Sequence, residues 1–289
     1  MAEKRKFYGM RNDYMFHAVL QKNEEVLRNL LATLLEIDEA EIENCHIENP
    51  IELGKEIEGK ECILDVKLTL NNDKVINIEL QVYKQTHWIN RSLLYWARTY
   101  DNLKSGQDYS MLLPAYHIGI LDFTLFGEHP KFMGKYQLMD VEDQFLYSDK
   151  LCIKVLDLTQ LDAAKKQANI NKKLVKWASI FKAETLEELE QLANGEEVFE
   201  KMVVTMKKLS EDEKIRMQCE AREDYERCLL SEFNAGKREG EEIGEQRGRA
   251  MGEEIGEKRG KDETEKKLVQ HLMQSMKLSE TDAKKMLGL

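Results

Sequence analysis

The chain has 289 residues, enough for one α/β domain of ordinary size and a helical appendage. Hydrophobic residues make up 42% and charged residues 34%, so a core can be buried beneath well-solvated helix surfaces. A net charge of −11 argues against a general nucleic-acid coat, which carries positive charge, but leaves room for a local basic groove. No stretch approaches the roughly 18 apolar residues of a membrane span. The basic start, Met1 to Met10, is followed by no apolar run of signal length. Five cysteines, Cys45, Cys62, Cys152, Cys219 and Cys228, have no CxxC spacing and suggest neither a disulfide framework nor a zinc site. The expectation is a reduced, cytoplasmic protein.

In chain order, Phe16, Leu20, Leu27, Leu31, Leu34 and Leu35 recur at helical spacing and predict an amphipathic helix over 12–36, with Asn12 or Asp13 as N-cap. A short strand is expected at 45–51. Residues 62–70 and 75–83 alternate and read as a strand pair, with turn chemistry at Asn71, Asn72 and Asp73. An aromatic-rich helix is expected over 88–104, stopped by Gly106, and further strands at 116–123 and 151–158. From about residue 160 strand signals vanish, and Glu- and Lys-rich helical segments run to 233. Glycine then recurs every fourth residue, at 236, 240, 244, 248, 252, 256 and 260, and EEIGEQRG at 241–248 returns as EEIGEKRG at 253–260. Residues 263–288 suggest two short helices, the second opened by a capping pair, Ser279 and Asp282.

The segment ECILDVKLTL-NND-KVINIELQVY concentrates the chemistry. Residues two apart in a strand share a face. Cys62, Leu64, Val66, Leu68 and Leu70 form one side of the first strand, and Ile63, Asp65, Lys67 and Thr69 the other. In the second strand Ile76, Ile78, Leu80 and Val82 oppose Val75, Asn77, Glu79, Gln81 and Tyr83. Pairing must match apolar face with apolar face. A three-residue turn pairs Leu70 with Lys74 and sets Asp65 across from Glu79 and Lys67 across from Asn77. A slip of two sets Asp65 across from Gln81. Either register gathers Asp65, Glu79 and Gln81 on one patch, with facing Cβ atoms about 5 Å apart. Carboxylates so close repel. A hard divalent ion such as Mg²⁺, which takes one or two carboxylates and keeps several waters, would relieve this and leave room for a phosphate. Lys67 could neutralise them instead, without a metal. Gln81 is no strong base, but its amide could orient water or donate to phosphate.

Four segments in order, RNDYMFHAVL, ILDVKL, INIELQV and RSLLYWARTYDNLKSGQDY, resemble the PD-(D/E)XK nuclease family transposases over roughly residues 8–158. The resemblance implies an α/β restriction-endonuclease-like fold, a mixed sheet flanked by helices, here followed by an all-helical C-terminal region. It implies a Mg²⁺-dependent DNA endonuclease. Asp65 matches the motif aspartate and Glu79 the (D/E) position, which the resemblance implies are the metal ligands. Gln81 stands where the superfamily more often has lysine, as this family shows. Asp13 matches the acidic residue of the N-terminal segment, and an N-cap is its alternative reading. The rival to the enzyme is a catalytically inactive DNA- or protein-binding module on the same fold.

Arg91, Tyr95 and Arg98 share one helix face, either as a phosphate-contacting stripe helped by Lys84 and His87 or as an internally salt-bridged face. Trp88, Leu93, Trp96 and Tyr100 read as core. His17, His117 and His129 make no metal spacing and receive no role. The glycine ladder reads either as a closely packed helix that forms a homodimer or as a flexible charged linker, with the helix preferred. The expected segments are therefore a core at 8–158, a helical region at 159–233, the ladder at 234–262 and a helical tail at 263–289.

Overall fold

The computed structural model describes residues 6–51, 53, 65–84 and 86–289. The chain opens with α1 (Asp13–Lys22) and α2 (Glu24–Leu35), where the apolar spacing had suggested one helix. Asn23 makes the break. Its backbone is extended, and its side chain accepts from Val26 N, so it caps α2 instead of continuing α1. Asn12 caps α1 through a bond from Met15 N, which leaves Asp13 in the first turn with its carboxylate free for another partner.

A short strand β1 (Cys45–Ile47) precedes the hairpin of β2 (Val66–Leu70) and β3 (Lys74–Gln81). Residues 62–64 of the expected first strand lie outside the described residues. Asn71 and Asn72 take left-handed backbone (φ 50° and 56°), which asparagine tolerates better than most side chains. Asn71 also accepts from the backbone of Glu43 and Asn44, tying the turn to the segment before β1.

Helix α3 (Trp88–Tyr100) crosses from β3 to the parallel β4 (Ala115–Leu121). Then come β5 (Met133–Met139) and β6 (Leu146–Asp157). The six strands form one mixed sheet in the order β1-β2-β3-β4-β6-β5, with β3, β4 and β6 parallel. β5 carried no clear strand signal in the sequence. It is an edge strand with mostly half-exposed or exposed residues, and irregular pairing after Tyr136 spoils its alternation.

The sheet has an apolar core on each side. On one side Val66, Leu68, Leu70, Ile76, Ile78, Ile118 and Ile120 pack with α1 and α2. This core continues without interruption into α5 (Lys172–Lys182), α6 (Leu186–Ala193) and α7 (Glu197–Glu211), through Trp177, Phe181, Phe199 and Met206. A short α4 (Leu161–Ala164) leads into these helices. On the other side Trp88 packs on Leu121, Ile153 and Val155, with Trp96 against them. α3 therefore covers the face that carries Asn77 and Glu79. Leu93, expected in the core, is 47% exposed. The buried positions of α3 are Trp88, Ser92 and Thr99, so Leu93 turns outward beside Ile89.

The chain divides into two units, residues 1–227 and 228–289. α8 (Glu213–Met276) begins in the first and runs on through the whole glycine ladder in the second, so the ladder is helical. Among the described residues, and apart from its two chain neighbours and the helix's own backbone, no atom lies within 4 Å of the Cβ that any ladder glycine from Gly236 to Gly260 would carry. α9 (Glu280–Leu287) is capped by Ser279, which accepts from Asp282 N.

Candidate active site

Register decides which acids meet. Leu70 pairs with Lys74, Lys67 with Asn77 and Val66 with Ile78. Continued by one residue, this register sets Asp65 across from Glu79, and the two-residue slip is not taken. Asp65 stands just before β2, where β1 has ended. Asn49 extends the pairing with its side chain: the amide donates to Asp65 O (2.7 Å) and its carbonyl accepts from Lys67 N (2.8 Å). Both carboxylates are buried, Asp65 at 9% and Glu79 at 2% exposure.

Lys67 does not neutralise them. It pairs with Glu48 at 3.0 Å. The counter-charge comes from the crossover helix: Arg91 Nη2 contacts Glu79 Oε1 and donates to Gln81 Oε1 at 2.7 Å. Gln81 in turn donates to Tyr83 O (3.2 Å), so its amide is held from both ends. Of the two sequence readings of the arginine face, Arg91 takes the internally paired one. Arg98 is exposed, with its guanidinium 6.0 Å from the Tyr95 ring centre, and Lys84 lies exposed after β3.

Between the two carboxylates stand Asn77 and His117, cross-strand partners on β3 and β4. Asn77 Nδ2 lies 3.2 Å from Asp65 Oδ2 and 3.2 Å from His117 Nδ1. His117 Nε2 is 3.4 Å from Glu79 Oε2, but without hydrogen-bond geometry, and neither atom has another hydrogen-bond partner among the described residues. This proximity is not an ion pair at neutral pH. Burial pulls the His117 pKa down to about 4, against the pull of Asp65 and with the help of Arg91. Burial likewise raises the Asp65 pKa, opposed by the Asn77 bond and by His117 and Arg91, and reinforced by the charge of Asp13.

Asp13 therefore lies within electrostatic reach of Asp65, but its direct partner is Arg222 of α8, whose Nε is 3.0 Å from each carboxylate oxygen. Glu226, one turn on, sits near the same pair. Burial and the charge of Asp13 push its pKa up to about 7. On β4, Gly119 pairs with Glu79, and a Cβ there would meet Trp88 Cζ2 at 2.4 Å. Absence of a side chain lets the indole lie on the strand beside the site.

The described residues contain no group of three or more His, Cys, Asp or Glu side chains arranged to hold a metal. What they do offer fits a hard cation of low protein coordination. Two buried carboxylates face one patch, and Glu79 Oε2 is buried with no hydrogen bond. Such an oxygen is costly unless a cation or donor reaches it. Mg²⁺ binds through one or two carboxylates and fills its shell with water and phosphate oxygens.

Sequence reasoning assigned no role to Asn49, His117, Gly119 or Arg222. Asn77 had been placed on the polar face without one. A strand pattern gives the face on which a residue lies. Neither it nor a helix period carries a signal for Arg222, 209 residues beyond its partner Asp13.

A mixed sheet, an antiparallel pair with acids at its open end and a helix-borne counter-charge define a restriction-endonuclease-like, nuclease-type core. The chain belongs to the PD-(D/E)XK nuclease family transposases, whose family model matches residues 10–233. That match continues through α7 into α8, past the stretch on which the sequence resemblance rested. Comparisons with curated proteins and with solved structures each find no match.

Proposed function

We propose that the chain is a Mg²⁺-dependent DNA endonuclease that hydrolyses phosphodiester bonds, with Asp65 and Glu79 as the metal ligands. The observation that carries this reading is the Glu79 carboxylate, buried at 2% exposure with Oε2 unpartnered, on the same patch as buried Asp65. When bound there, the ion would polarise a phosphoryl oxygen and lower the pKa of a water. The chain's own residues do the rest. Gln81, fixed by Tyr83 O, presents its amide at the edge of the patch to orient a water or a phosphate oxygen. Arg91 balances Glu79 in the absence of other charge and lies where a phosphate would approach. Arg98 and Lys84 offer exposed positive charge for the DNA backbone beyond it. Asp13, held by Arg222, adds negative potential behind Asp65.

The segments share the work in this reading: 8–158 carries the chemistry, 159–233 supports it, 234–262 assembles a homodimer, and 263–289 is a partner-binding tail. The four described cysteines are unpaired, which supports a reducing, cytoplasmic setting. No described helix is long and apolar enough to cross a membrane.

A second reading has one observation in its favour. Arg91 already neutralises Glu79 without a metal, as it would in a module that holds DNA or protein but does not cut. The test is supercoiled plasmid with Mg²⁺ or EDTA. Nicking or linearisation with Mg²⁺ only, lost in a folded Asp65→Asn protein, is the expected result. Binding without cutting across several divalent metals would establish the second reading instead.

A further inference from the structure

Asn77 and His117 are buried, at 6% and 0% exposure. A buried amide and imidazole are costly unless their polar atoms are matched. The match is made at Asn77 and at His117 Nδ1, while His117 Nε2 has no hydrogen-bond partner among the described residues. The Asn77 amide has two N–H groups, and its nitrogen reaches Asp65 Oδ2 and His117 Nδ1, each at 3.2 Å. Turning the amide over would set its carbonyl against the Asp65 carboxylate, so the carboxylate fixes the amide's orientation. With Nδ1 accepting, the neutral ring carries its proton on Nε2, and that edge faces Glu79 Oε2 at 3.4 Å. The ring centre is 5.9 Å from that of Trp88 and 6.3 Å from that of Tyr95, both on α3.

One amide thus bonds Asp65 on one side and the His117 ring on the other, and the far edge of that ring lies 3.4 Å from Glu79 Oε2 without a hydrogen bond. We propose that Asn77, and His117 acting through it, are positioning residues that set the plane of the Asp65 carboxylate so that it presents an oxygen to a divalent cation shared with Glu79. The proposal rests on the nuclease reading above. Groups that orient metal ligands in this way typically change metal affinity or activity by about 10- to 100-fold when removed.

Two substitutions separate positioning from packing. His117→Phe keeps an aromatic ring against Trp88 and Tyr95 but has no acceptor for Asn77. His117→Asn loses the ring but keeps an oxygen near the Nδ1 position. Binding of Mn²⁺ to the full chain is followed by calorimetry, and plasmid nicking is followed across Mn²⁺ concentrations. The expected result is a rise of roughly tenfold in the Mn²⁺ concentration for half-saturation in His117→Phe, and of no more than about threefold in His117→Asn. Equal Mn²⁺ dependence in His117→Phe and wild type would overturn the proposal. So would a loss in His117→Asn as large as in His117→Phe, because that ordering belongs to packing. If His117→Phe does not fold, Asn77→Leu decides: it removes both donors at similar volume and should raise the half-saturation in the same way, and an unchanged value overturns the proposal. Wild type that binds Mn²⁺ tightly but responds to none of these changes sinks only the positioning role. Wild type that neither binds Mn²⁺ nor cuts sinks the nuclease reading, and this proposal with it.

Discussion

Replacing Arg91 by methionine tests the electrostatics of the site most directly. Methionine keeps an unbranched stem against Tyr95, whose ring centre lies 5.8 Å from the guanidinium carbon, and removes the charge. Glu79 then holds a carboxylate at 3% side-chain exposure with neither oxygen matched by a cation. Breaking a buried pair by removing one partner costs about 3–5 kcal/mol. The low end applies, because the Arg91 side chain is 26% exposed and water can enter behind it. About 3 kcal/mol corresponds to a fall in melting temperature of roughly 6–12 °C for a cooperative unit of this size. That loss should appear in EDTA. With divalent metal, the ion takes over as counter-charge, and at 100 times its dissociation constant it contributes about 2.7 kcal/mol. In wild type the ion must compete with Arg91 for Glu79, so it stabilises less. Thermal unfolding followed by circular dichroism, in EDTA and in Mg²⁺ or Mn²⁺, gives four melting temperatures. The metal-induced rise should be larger in Arg91→Met than in wild type. Equal rises, or a variant as stable as wild type in EDTA, would refute the argument.

Gly119→Ala should destabilise by about 1–3 kcal/mol in urea unfolding, because its Cβ would meet a Trp88 ring that is 1% exposed and cannot retreat. A neutral or stabilising result, as expected for a glycine in an uncrowded strand, would mean that the indole does not lie there. Glu226 binds its proton more tightly in the folded state than in the unfolded chain, so its contribution to stability is present below pH 4.5 and is lost as pH rises through about 7. Glu226→Gln should remove that component. Denaturation midpoints at pH 5 and pH 8 should show the variant gaining on wild type at the higher pH, and parallel midpoints would count against the burial of this carboxyl. Replacing Gly244, Gly248 and Gly252 by leucine should weaken self-association in sedimentation if the ladder is a close-packing surface, although leucine is the better helix former. Unchanged association, or a wild type monomeric at every concentration, would end the dimer proposal.

The hairpin was legible because its signal is local and redundant. Alternation from Val66 to Leu70 and from Val75 to Gln81 fixes the faces, so the acids share one patch in either register, and the structure selects the one that sets Asp65 opposite Glu79. The counter-charge was not legible. Lys67 is nearer in sequence and on the same face, yet it goes to Glu48, because β1 brings that carboxylate alongside. Arg91 reaches Glu79 only because α3 crosses over the sheet, a fact of tertiary packing. The break at Asn23 was hidden for a different reason. The apolar spacing runs through it almost undisturbed, and the contest between capping and continuing is decided by one side chain. Asp13 shows the same limit. Its place at the start of α1 was readable, but its partner Arg222 comes from the far end of the same unit.

The unbroken helix through the ladder has a geometric consequence. Four residues turn an α-helix by about 400°, so successive glycines advance by about 40° around the axis. The ladder is thus an oblique groove that follows one of the i±4 rows, inclined by about 26° to the axis. A second helix seated in such a groove crosses at about 50° and parts from it within a few residues. Any one crossing would engage two or three glycines and leave the others free. Because EEIGEQRG at 241–248 and EEIGEKRG at 253–260 are nearly the same, the helix offers two nearly equal seats, twelve residues and about 18 Å apart. An assembly built on this segment would therefore be degenerate in register, free to exchange between seats of similar energy while each glycine-to-glycine contact stays equally close.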